Sequence, residues 1–135
     1  MKNIKQYYKE LGKLVYALAI SDGVIQENEL YKLHETVSKD LAMNESSEDS
    51  SGMNQAFYVD FEFDKSVENH LDLNEAIKSY CDFVRMNCEP TDRGLFNRSL
   101  VLLKNVSEAY TDEKEKDIIS KISKEMQEST KYLVN

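Results

Sequence analysis

Residues 4–23 read IKQYYKELGKLVYALAISDG, and the spacing of their apolar side chains decides the fold class. Ile4, Tyr7, Tyr8, Leu11, Leu14, Val15 and Leu18 recur at steps of three and four, which places them on one face of an α-helix. Gly12 lies inside that helix at a propensity cost of about 1 kcal/mol relative to Ala, a position suited to the close approach of a second helix. The helix is expected to stop at Ser21-Asp22-Gly23, with Gly23 in the left-handed conformation that closes helix ends. Val24 and Ile25 then fold back as the apolar contact of that cap.

The same periodicity continues downstream. A second helix is expected from Gln26 to Asn44, with Glu27 and Glu29 at the positive end of its dipole and Leu30, Leu33, Val37 and Leu41 as its buried stripe. Residues 45–54, ESSEDSSGMN, have no apolar pattern and read as a flexible acidic loop. Residues 56–64, AFYVDFEFD, alternate as a strand would, yet no second strand-like run exists to pair with them. A short helix or an aromatic lid over the core is the expected form. Asp72 and Glu75 have the spacing of a capping box for a helix that carries Ala76, Ile77, Tyr80, Cys81, Val84 and Cys88 inward and breaks at Glu89-Pro90. Thr91 is expected to cap the next helix, whose run from Leu95 to Val106 is apolar almost all round and suits the centre of a bundle. A last helix follows Thr111, with Ile118, Ile119, Ile122, Met126 and Leu133 on its stripe.

The chain is therefore expected to be all-α, one bundle of five or more helices spanning residues 1–135 as a single domain. One Pro and four Gly among 135 residues leave too few turn formers for a sheet-rich domain. A formal charge of −8 repels nucleic-acid backbones and anionic lipid heads, and no run of Lys or Arg exceeds two, so no nucleic-acid partner is expected. The apolar span Leu14–Ile20 is far shorter than the ~20 residues a membrane helix needs, and it lacks a signal-peptide cleavage site. Cys81 and Cys88 would stand ~10 Å apart along one helix, too far for a disulfide, and read as reduced core thiols. A cytoplasmic location follows as the expectation.

The string Asp22-Gly23-Val24-Ile25-Gln26-Glu27-Asn28-Glu29 has the spacing of the second half of an EF-hand calcium loop. The first half is missing, because its first and third ligand positions fall on Leu18 and Ile20, which carry no oxygen. An apolar helix ending Ala19-x-x-Asp22-Gly23-x-Ile25, followed by Glu29-Leu30-x-x-Leu33, instead resembles the tellurite-resistance TerB family and its relatives, among them the amino-terminal region of a membrane-anchored DnaJ-type co-chaperone. The resemblance is sharp over roughly residues 11–41. It implies an all-helical bundle with internal duplication, a link to stress response, and a divalent-cation site among acidic residues at the Asp-Gly turn. Carried over residue by residue, the metal candidates are Asp22, Glu29 and, at a faint echo of the motif in Ala109-Tyr110-Thr111-Asp112, Asp112. Glu113 stands there in place of the glycine. The alternative is that Asp22-Gly23 only stops a helix and Glu27 and Glu29 only match a dipole.

Catalysis finds little footing. His34 and His70 are far apart in sequence, His34 sits at the edge of a buried stripe, and the cysteines lie on an apolar face. No nucleophile elbow and no glycine-rich phosphate loop is present. Phe57, Tyr58, Phe61 and Phe63, interleaved with Asp60, Glu62 and Asp64, form a candidate partner-binding surface, the alternative being that two or three of these rings plug the bundle. The expected function is a non-enzymatic cytoplasmic module, TerB-like and stress-linked, binding a divalent cation near the Asp-Gly turn, a protein partner, or both. A protein-binding adaptor without a metal site comes second, and an enzyme with an unrecognised site third.

Overall fold

The computed structural model describes residues 1–21, 24–108, 116–122, 124 and 128. The chain is an all-α bundle. Its helices are α1 (Ile4–Ile20), α2 (Glu27–Thr36), α3 (Tyr58–Asn69), α4 (Leu73–Asn87) and α5 (Arg93–Glu108), and residues 116–122 are helical as well. The only β-type pairing among the described residues is an isolated antiparallel bridge between Glu48 and Asn54. No helix of the described residues is long and apolar enough to cross a membrane.

The central helix is α1, not α5. Eleven of its seventeen residues are buried, including Glu10, Tyr16, Ala17 and Ala19 outside the periodic stripe, and it packs against α3, α4 and α5. Helix α5 lies to one side of it, with Val101 45% exposed and Leu100 half-buried, so its all-round apolar pattern overstates its burial. Gly12 is where α1 meets α3. A Cβ placed there would come within 2.5 Å of the Val59 carbonyl oxygen and 3.0 Å of Glu62 Cβ, so only a glycine permits this separation. The expected close approach is real, and α3 is the helix that makes it.

A polar network runs through the core beside this contact. Tyr7, fully buried, shares hydrogen bonds of 2.9 Å with the Tyr80 hydroxyl and 2.7 Å with the Ser99 hydroxyl, while Ser99 also donates to the Leu95 carbonyl at 2.9 Å. Three helices are thus joined through hydroxyls that burial would otherwise penalise. Burial pushes the Tyr7 hydroxyl up to about 12, so it acts only as a neutral donor and acceptor. The ring of Tyr7 packs against Tyr8, Tyr80, Phe83 and Phe96, with centroids 5.7–6.4 Å away. A second tie links α1 to α4, where Ser79 donates to Glu10 Oε2 at 2.6 Å and Lys13 neutralises Oε1 at 3.2 Å.

Helix ends match the sequence in part. Asp72 caps α4 by accepting from the Glu75 backbone N–H at 3.1 Å, and α4 ends at Asn87, ahead of Glu89-Pro90. Thr91 does not cap α5. It lies inside a 3-10 turn, Pro90–Asp92, whose closing bond runs from the Glu89 N–H to Asp92 Oδ2 at 2.6 Å. Asp92 also holds the Met1 ammonium at 2.8 Å. His70 closes α3 in the left-handed region, at φ 49°, a position that favours glycine by about 1–2 kcal/mol. Helix α2 runs on through a π turn (Val37–Leu41) and a 3-10 turn (Ala42–Asn44), reaching the expected end at Asn44. Ile122 is buried and Ile118 and Ile119 pack against the core, whereas Thr111, Met126 and Leu133 lie outside the described residues.

Candidate functional site

The ambiguous segment 56–64 is helical. A 3-10 turn, Gln55–Phe57, opens into α3, which runs on to Asn69 and so exceeds the short helix expected. Helical spacing sends Val59, Phe63 and Ser66 inward and Phe61 outward. Phe63 is therefore a core residue, 1% exposed and edge-on to Tyr16 at 6.2 Å, which removes it from the expected partner-binding set. Phe57 is half-buried and packs against the core. Phe61 is 51% exposed and forms an edge-to-face pair at 5.8 Å with Tyr58, which like Phe57 is half-buried and packs against the core. Lys5 and Lys9 of α1 stand 4.8 and 5.7 Å from the Tyr58 ring centroid, within cation–π range.

The acidic loop fixes this face from behind. Its backbone closes through Asp49 N–H to the Met53 carbonyl at 2.9 Å, with Gly52 supplying φ 86°. Asp49 accepts from the Ser51 hydroxyl at 2.6 Å, the Ser51 N–H at 2.9 Å and the Met53 N–H at 3.0 Å, and from the Tyr58 hydroxyl at 2.9 Å. At the other end the Tyr8 hydroxyl donates to Glu45, and Asn54 donates to the Ala42 and Glu45 carbonyls. Residues 45–54, read from the sequence as a flexible loop, thus form a hydrogen-bonded turn tied to α1 and α3.

On the opposite flank of α3, Asp60 meets His34 of α2, with Nδ1 and Oδ1 2.9 Å apart. The two aspartates are displaced in opposite directions. Donors from Ser51, Met53 and Tyr58 hold Asp49 well below the usual carboxylate range, whereas burial raises Asp60 despite the attraction of His34. The contribution of Asp49 to stability is present above its unfolded value and lost as pH falls through the lower folded value. Asp60 works the other way, its contribution declining as pH rises through the raised folded value. Carboxyl NMR titration should therefore find Asp49 ionised to lower pH than Asp60. Reversal of that order would contradict the hydrogen-bonded form of the loop.

Of the residues proposed for a metal, only Glu29 lies within the described part of the chain. Asp22 and Asp112 lie outside the described residues, as does the expected left-handed Gly23. Glu29 is buried, and its Oε1 accepts the Gln26 N–H at 2.7 Å, closing the first turn of α2. Glu29 thus closes the capping box of α2 with Gln26, a role beyond the dipole match expected of it. Among the described residues no group of three or more His, Cys, Asp or Glu side chains gathers. His34 is exposed rather than partly buried, and His70 is exposed at the end of α3. Cys81 and Cys88 are both buried, and burial pushes the Cys88 thiol up.

The surface that the sequence did not signal lies on α4. There Lys78, Cys81, Asp82 and Arg85 line an open cleft of about 340 Å³ together with Lys121 from the helical residues 116–122. These residues come from two distant segments, so no local run betrays them.

Fold and site define the class as an all-α helical bundle with an aromatic outer face on α3. No family model, curated protein or solved structure matches the chain.

Proposed function

We propose that the chain is a non-enzymatic, cytoplasmic, TerB-like module that binds a partner protein through the outward face of α3. The observation that carries this reading is Phe61, a half-exposed aromatic side chain braced by Tyr58, which is itself held by Asp49 and flanked by Lys5 and Lys9. Rigid aromatic side chains beside fixed charges lose little rotamer entropy on binding and dominate interface energetics. The TerB-like assignment rests on the order of residues 11–41, an apolar helix, the Asp22-Gly23 turn and a helix whose first turn is closed by Glu29. The stress-linked setting comes with that resemblance.

Phe61→Asp should abolish co-purification of the partner from native extract while leaving the unfolding midpoint within about 2 °C, since surface changes away from packed features stay within about 0.5 kcal/mol. Retention of the same complex by the variant would overturn the proposal.

The capping role of Glu29 favours the adaptor form of this reading, in which the Asp-Gly turn only shapes the chain. The unfolding midpoint is then indifferent to Ca²⁺, Mg²⁺, Mn²⁺ and Zn²⁺. A cation at ~100 times its dissociation constant would add about 2.7 kcal/mol if it bound the folded state alone. A rise of that order, lost in Asp22→Asn, would instead establish the divalent-cation site implied by the resemblance.

A further inference from the structure

The outward face of α3 has two unlike flanks. Beside α1, the ammonium groups of Lys5 and Lys9 converge on a single ring, 4.8 and 5.7 Å from the Tyr58 centroid. That ring is held in place, since it packs against the core and its hydroxyl donates to Asp49 at 2.9 Å. Lys9 is itself half-buried. Neither lysine makes an ion pair with any described residue. Asp49, at the hydroxyl end of the ring, is already occupied by donors from Ser51, Met53 and Tyr58. Beside α2, by contrast, Asp60 is matched by His34 at 2.9 Å, and Asp64 follows it by one turn. Phe61 lies between the two flanks, 51% exposed.

Resting on the reading of α3 as the binding face, we infer that the partner protein presents a short acidic segment to it, with an apolar side chain against Phe61 and a carboxylate within reach of Lys5 and Lys9. A ring face holds an ammonium in position through its quadrupole yet leaves the N–H donors open to a carboxylate. Complementary charge beside an aromatic anchor selects the partner and fixes its register. The formal charge of −8 repels an extended acidic body beyond the screening length of ~8 Å, so the segment that fits is short. The same charge opposes an anionic membrane, which presents its charge over a whole surface.

The test places a benzophenone amino acid at position 61 of the full chain in the native cell, in three backgrounds: the native lysines, Lys5→Gln/Lys9→Gln, and the charge-matched Lys78→Gln/Lys104→Gln, whose lysines are exposed on α4 and α5. The yield of one protein adduct should fall about tenfold in Lys5→Gln/Lys9→Gln and stay unchanged in the control. Mass spectrometry of the crosslinked partner peptide, which needs no variant, should find Asp or Glu next to the attachment point. An undiminished adduct in Lys5→Gln/Lys9→Gln, or a partner peptide without acidic residues, would overturn the inference while α3 keeps its role. A lipid adduct, or no adduct with the native lysines, would instead remove the protein-binding reading on which the inference rests.

Discussion

Tyr7→Ala is expected to destabilise the protein by about 4 kcal/mol, lowering the unfolding midpoint by about 10–20 °C. The substitution removes a fully buried ring from contact with four other aromatic residues and deletes the hydroxyl shared by Tyr80 and Ser99. Tyr7→Phe separates the two losses. The ring is kept, and the cost falls to about 1–3 kcal/mol for a buried hydroxyl left without its partner. Ser99 retains its bond to Leu95, so most of that penalty falls on Tyr80. Chemical denaturation of the three proteins checks the order, and near-equal stability of Tyr7→Phe and Tyr7→Ala would contradict the packing described.

Gly12→Ala should cost about 2 kcal/mol, although helix propensity alone predicts a gain of about 1 kcal/mol. The two effects have opposite signs, and distance decides between them. The new methyl group would meet the Val59 carbonyl oxygen at 2.5 Å, a backbone atom that cannot rotate aside, and Phe63 N at 3.2 Å. Relief would require α1 and α3 to separate, weakening the burial of Val59 and Phe63. A variant more stable than the native protein in urea would show that these helices do not touch at Gly12.

Much of this architecture is legible in the sequence because it rests on local spacing. The stripe from Ile4 to Leu18, the Asp72 cap and the break before Pro90 each need only a few neighbouring residues to specify them. The position of α1 at the centre is less legible, since Glu10 looks like a solvent-facing residue until Ser79, sixty-nine positions away, supplies its partner. The alternation of Phe57, Val59, Phe61 and Phe63 mimics a strand because aromatic residues occupy both the inner and outer faces of α3. Only the fold distinguishes the buried ring of Phe63 from the exposed ring of Phe61.

The candidate sites divide along the same line. Glu29 sits in the first helical turn, where its dipole match is expected, whereas the cleft of Lys78, Arg85 and Lys121 exists only after two remote segments meet. A count of charge along the chain finds acidity everywhere and misses it. The pair of half-buried Tyr58 and exposed Phe61 falls between these cases, with its residues named by the sequence and their exposure set by the helix.

The most direct test of the partner-binding reading is photo-crosslinking in the native cell, with a benzophenone amino acid in place of Phe61 and, as control, of Met86, which is 82% exposed on α4. A discrete protein adduct at position 61 and none at 86 is the predicted result. Adducts at both positions alike, or at neither, would contradict the assignment of α3 as the binding face.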